Sequence, residues 1–152
     1  MPEDDESQEE AEDGMVAEDG MLADDEGAST SDDVEALSTI FDARPDVLNH
    51  NVETVARLQM RVRPSASYAR SLSVLARAGK AGLTIKSSIM VGIGETDDEV
   101  DGCLADLAAV GCDIVTIGQY LQPTTNHLPV DRWVDPSVFD RWREVGAGLG
   151  IG

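Results

Sequence analysis

The chain has 152 residues and a formal net charge of −19, from 30 acids against 11 bases. That length supports one ordinary domain with its own core, and two cysteines exclude both a disulfide framework and a four-cysteine metal site. No apolar run approaches membrane-spanning length, and the acidic start is the opposite of a signal peptide's basic opening, so a soluble cytoplasmic protein is the expectation.

Residues 1–43 hold 17 of the acids and no Lys or Arg, the first base being Arg44; the remainder carries 13 acids against all 11 bases. The folded part therefore has no basic excess with which to grip nucleic acid. Beyond the initial methionine, the apolar interruptions of residues 1–33 longer than alanine are Met15-Val16 and Met21-Leu22. Such a segment repels itself and buries too little apolar area to offset the entropy of ordering, so it is expected to be a disordered, solvating leader. Its near-repeat, AEDGM at Ala11–Met15 and again at Ala17–Met21, is low complexity and carries little information.

The folded domain is expected over 34–152. Asp33 is placed to cap a short helix with Val34, Leu37 and Phe41 on one face. A short extended run follows Pro45, through Val47-Leu48-Asn49. Pro64 ends an irregular helix, and Ser65 or Ser67 caps the next, which carries Tyr68, Leu72 and Leu75 and is stopped by Gly79 and Gly82. Thr84–Gly92 reads as a strand with Ile85, Ile89 and Val91 on one side and Lys86, Ser88 and Met90 on the other. Thr96 to Glu99 is a capping box for a helix burying Val100, Cys103, Leu104 and Leu107 and ending at Gly111. Asp113–Leu121 is apolar on both faces, as suits a parallel strand covered by helices. Asp135 and Pro136 start a last helix with Phe139, Trp142 and Val145 inward.

Strands alternating with helices predict an α/β fold with a parallel sheet and right-handed crossovers. Three strands are too few to close a barrel, so both sheet edges and one face are expected to be bare, as in half of a larger fold. Chemistry in such folds gathers at the carboxyl ends of the strands, here Asn49 to Glu53, Gly92 to Glu95, and Gln119 to Pro123. Amides and carboxylates at one mouth suit a polar ligand with amino, hydroxyl and adenine groups. Taken alone, Asn49 or Asn51 reads as a cap on its own loop, since Asn bonds its own backbone readily. Gly92-Ile93-Gly94 opens like a dinucleotide fingerprint, but Asp97 stands at the third glycine position. The turn reads instead as a close approach for a ligand with Glu95 as a polar contact, or as a plain tight turn. Lys86, inside a strand, needs an anionic partner. Cys103 reads as core; with Cys112, His50 and His127 it makes only a scattered set for a metal.

Val47–Thr54 (VLNHNVET), Arg61–Leu72 (RVRPSASYARSL), Ile85–Thr96 (IKSSIMVGIGET), Gly111–Pro123 (GCDIVTIGQYLQP) and His127–Val130 (HLPV) resemble lipoyl synthase. Those radical S-adenosylmethionine enzymes insert two sulfurs into a protein-bound octanoyl chain. The resemblance runs from about Val34 to Leu149. It implies a partial (β/α) barrel, the C-terminal half of a radical-SAM TIM-like barrel, with about three parallel strands and flanking helices. It implies Asn51, Glu53, Arg63, Ser71, Lys86 and Glu95 around adenosylmethionine, with Asn49, Gln119 and Tyr120 lining the same mouth for substrate. It also implies [4Fe–4S] clusters and an octanoylated lipoyl-domain partner. The family's Cys-x-x-x-Cys-x-x-Cys motif, its upstream cysteine trio and its Arg-Ser-Ser-Tyr segment do not occur in this sequence. Because thiolates hold such clusters, the chain alone is expected to be inactive. The alternative expectation is a non-catalytic binding module, or a subunit pairing with a separately encoded iron–sulfur half.

Overall fold

The computed structural model describes residues 31–152. The expected disorder of the leader therefore falls almost wholly outside the described residues. The chain order is α1 (Ser31–Asp42), β1 (Val47–Asn49), a 3-10 turn (Ala56–Leu58) running into α2 (Gln59–Val62), α3 (Tyr68–Lys80), β2 (Thr84–Val91), α4 (Asp97–Ala109), β3 (Ile114–Gln119) and α5 (Pro136–Gly148). The three strands form one parallel sheet in the order β1-β2-β3. This is an open α/β sheet with flanking helices, as a partial barrel requires.

β2 is central, and its alternation decides the layers. Ile85, Ser87, Ile89 and Val91 are buried, while Lys86, Ser88 and Met90 are half-buried on the other face. The buried row meets Leu75 and Ala78 of α3 and Val100, Cys103, Leu104 and Leu107 of α4 in one apolar cluster, which α5 joins through the fully buried Trp142. Phe139 stands edge-on to Trp142, with ring centroids 5.6 Å apart. Arg141 on α5 is ion-paired to Asp101 on α4. Burying a side chain of this size contributes about 1.5–3 kcal/mol, so the core rests on this one helix-covered face.

Each helix begins as its sequence dictates. Ser67 caps α3, accepting from the Arg70 N–H. Thr96 and Glu99 form a complete capping box on α4. The Asp135 carboxylate accepts from the Ser137 N–H ahead of Pro136. The helices also end alike. After α3, α4 and α5 comes a left-handed glycine (Gly82, Gly111, Gly150) and then a buried residue (Leu83, Cys112, Ile151). The N–H of that buried residue returns to Ala78, Leu107 or Gly146. This is the Schellman stop, used three times. The third use brings Gly152 beside β3: its N–H donates to Asp113 O at 2.8 Å, and Val115 N–H donates to Gly152 O at 3.4 Å.

Four expectations need correction. The first helix begins at Ser31, ahead of the expected cap at Asp33. Val34 is exposed rather than inward, because α1 packs on the core through Phe41, with Leu37 half-buried. Gly79 lies within α3, where an added Cβ would stand 3.7 Å from Ile85 Cδ1, and only Gly82 ends the helix. β3 is not covered on both faces. The strand order makes it an edge, so Ile114 and Thr116 are exposed and Val115 and Ile117 only half-buried. No helix among the described residues is long and apolar enough to cross a membrane.

Candidate functional site

Beyond Asn49 the chain stays beside β2 without regular strand geometry. His50 N–H donates to Lys86 O and Glu53 N–H to Ser88 O, each at 3.0 Å, and Met90 N–H donates to Glu53 O at 2.8 Å. Between them the Val52 N–H turns to the Ser87 hydroxyl at 3.2 Å. Glu53 takes a left-handed φ of 70°, an unfavoured conformation for a side-chain-bearing residue and one that concentrates at ligand sites. This kink sets Asn51 apart from the ladder. Its main-chain oxygen accepts from Arg63 Nη1 at 3.1 Å, while its side-chain Oδ1 is buried with no partner.

Asn49 and Lys86 are direct register partners, and Lys86 is paired on its other side with Ile114. By the alternation of the pleat, all three stand on the face that no described helix covers. Among the described residues the Lys86 ammonium makes no hydrogen bond or ion pair. Asn49, Asn51, Glu53, Arg63 and Lys86 thus gather around the open face and mouth of the β1–β2 pair.

Four other expected site residues are turned inward. The Ser71 hydroxyl, buried on α3, lies 3.1 Å from His50 Nε2. Burial, followed by the nearby Arg63 charge, lowers the His50 pKa against the opposing pull of Glu53. The Glu95 side chain is fully buried. Its two oxygens accept from the N–H groups of Gly92 at 2.6 Å and Ile93 at 3.0 Å, three and two residues back. Gln119 donates to the carbonyls of Tyr120 and Arg132 and accepts from the Val134 N–H at 2.9 Å. Tyr120 donates its hydroxyl to Leu128 O at 2.9 Å. Gln119 and Tyr120 therefore hold the connection from β3 to α5 in place.

Sequence reasoning missed the residue that completes this arrangement. Arg132 Nη2 lies 2.6 Å from Asp97 and 3.5 Å from Glu95, and its backbone N–H, with that of Asp131, points at Gly92 O at 3.3 and 2.8 Å. Gly92 has φ +95°, and a Cβ there would lie 2.5 Å from Arg132 O and overlap the Gln119 amide. The turn after β2 and the connection after β3 are thus clasped together. The only advance signal was the pair of glycines flanking Ile93; nothing in PVDRWVDP marked Arg132.

The thiols do not suit a cluster. Cys103 is buried on α4 and its pKa is pushed up to about 11 by burial. Cys112 is buried at the start of β3, and burial raises its pKa too. Raised pKa values disfavour the thiolates that iron requires, and among the described residues no three His, Cys, Asp or Glu side chains converge as a metal site.

Residues 26–107, more than half of the chain, match the Radical SAM superfamily. Among curated proteins, the chain is 55% identical over 120 residues to a lipoyl synthase of Chlorobaculum parvum, covering 78% of this chain and 41% of that protein. It is 54% identical over 115 residues to a lipoyl synthase of Mycobacterium leprae (76% and 37%). It is 49% identical over 117 residues to one of Frankia casuarinae (77% and 35%). The chain spans about two fifths of the length of these relatives.

Proposed function

We propose, for a chain that belongs to the Radical SAM superfamily, a lipoyl-synthase-like role in which it binds S-adenosylmethionine at the mouth of the β1–β2 pair. The observation that carries this is a matched pair of unspent groups. The Lys86 ammonium has no partner among the described residues, and Asn51 Oδ1 is buried with none. The amino-acid end of adenosylmethionine offers a carboxylate for the first and an ammonium for the second, and burial strengthens both contacts. Asn49, beside Lys86, and Arg63, which steadies Asn51, orient the pair. The left-handed Glu53 turns the chain at the rim. Ser71, Glu95, Gln119 and Tyr120 support the mouth from behind.

Adenosylmethionine supplies one-electron chemistry when an electron donor sits beside it. The two buried cysteines of this chain do not fit such a donor, so the chain's own contribution is binding and orientation. We place a partial barrel at 34–152, the cytoplasm as its compartment and an octanoylated lipoyl-domain protein as the eventual acceptor, by likeness to the relatives. The uncovered sheet face favours a second reading, a subunit completed by a separately encoded iron–sulfur polypeptide.

Calorimetric titration of the chain with adenosylmethionine tests the proposal. The expected result is stoichiometric binding that weakens at least tenfold in Lys86→Met and in Asn51→Leu. Binding that ignores both substitutions, or no binding, would remove it.

A further inference from the structure

The clasp at the ends of β2 and β3 touches every strand-end residue that failed to face the open sheet, and it converges on one side chain. The guanidinium of Arg132 reaches Asp97 at 2.6 Å and Glu95 at 3.5 Å. Glu95 in turn holds the N–H groups of Gly92 and Ile93. The main chain at Asp131 and Arg132 closes on Gly92 O, while Gln119 ties Arg132 O and the Val134 N–H to the end of β3. The turn of residues 92–95 is therefore fixed from two sides. Its own carboxylate fixes it from within, and residues 131–134 fix it from across the sheet end.

We propose that Arg132 is a positioning residue: it sets the shape of the Gly92–Glu95 turn, which leaves β2 at the mouth proposed for adenosylmethionine, and so couples ligand binding to the order of residues 121–134. This rests on the reading of the mouth given above. Arginine suits the task because its planar fork presents donors to two carboxylates at once, which a lysine ammonium does less rigidly. A lysine should therefore restore part of the effect and alanine none. The coupling is reciprocal. If the ordered connection favours the ligand-ready turn, bound ligand must favour the ordered connection to the same degree.

The test combines calorimetric titration with adenosylmethionine and amide exchange followed by mass spectrometry over residues 121–134. In the wild-type chain, ligand should slow exchange at 131–134. Arg132→Ala should weaken binding about tenfold and abolish that ligand-dependent protection, while exchange in β2 stays slow. Arg132→Lys should recover part of both. If Arg132→Ala does not fold, Asp97→Asn, which removes the nearer carboxylate only, should weaken the protection and the affinity by about threefold. Wild-type binding matched within twofold by Arg132→Ala, or equal protection in both, overturns the positioning role alone. No binding by the wild-type chain overturns the functional reading beneath it.

Discussion

Replacing Gly92 by alanine should separate backbone strain from steric collision, with Gly82→Ala as the internal standard. Both glycines have positive φ, +95° and +78°, but a Cβ on Gly82 meets nothing within 4 Å while one on Gly92 lies 2.5 Å from Arg132 O. For Gly82→Ala the loss is the left-handed penalty, about 1–2 kcal/mol. Gly92→Ala adds displacement of the segment it faces. The bonds at risk are those from Asp131 N–H and Arg132 N–H to Gly92 O, and that from Gln119 to Arg132 O. At about 0.5–1.5 kcal/mol each, losing two or three of them brings the total to about 3–5 kcal/mol. With a urea slope of about 2 kcal/mol/M, the two midpoints should differ by about 1 M. Urea unfolding followed by circular dichroism gives the midpoints, and amide exchange at residues 131–134 shows whether the connection has lifted. Equal midpoints, or a destabilised Gly92→Ala whose 131–134 amides stay protected, would refute the clasp.

Thr96→Ala should cost about 1 kcal/mol by opening the capping box of α4, read as a lowered urea midpoint; an unchanged midpoint would count against it. Arg57 holds the Glu99 carboxyl down to about 2 from its ordinary 4.5. The stabilisation from this pair is therefore complete above about pH 4.5 and is lost as pH falls from there through about 2. Thermal midpoints between pH 5 and 2 should fall less steeply for Glu99→Gln than for wild type, and parallel curves would exclude the pair. Anaerobic reconstitution of the purified chain with iron and sulfide should leave it without stoichiometric iron. A bound cluster with its visible absorbance would show that the two buried cysteines can be recruited after all.

Much of the fold was legible because it rests on local rules. The alternation of Thr84–Val91, the caps at Ser67, Thr96 and Asp135, and the inward row of α4 follow from periodicity and hydrogen-bond chemistry within a few residues. The errors arose where distant packing decides. Val34 reads as inward on a helical wheel, but which stripe of α1 is buried depends on where α3 and β1 lie. β3 is apolar enough for a covered strand, yet its place in the sheet leaves it an edge. The candidate site divides in the same way. Strand alternation puts Lys86 on the polar side of its strand, and Asn49 is its register partner there. Glu95, Gln119 and Tyr120 carry the polar groups of a mouth, but they turn toward distant partners in the connection before α5: Arg132 for Glu95, Arg132 and Val134 for Gln119, and Leu128 for Tyr120, none of which has a local signature.

The third helix stop has a consequence for anything joined to the carboxyl terminus. Gly152 already exchanges two hydrogen bonds with the start of β3, so the next residues of a fusion leave it heading along the open edge, parallel to Thr116 and Ile117. A tag rich in alternating valine or threonine would be templated there as a fourth strand. It would change the behaviour of the edge it was meant only to label. A proline placed directly after Gly152 lacks the N–H for that ladder and steers the appended peptide into solvent.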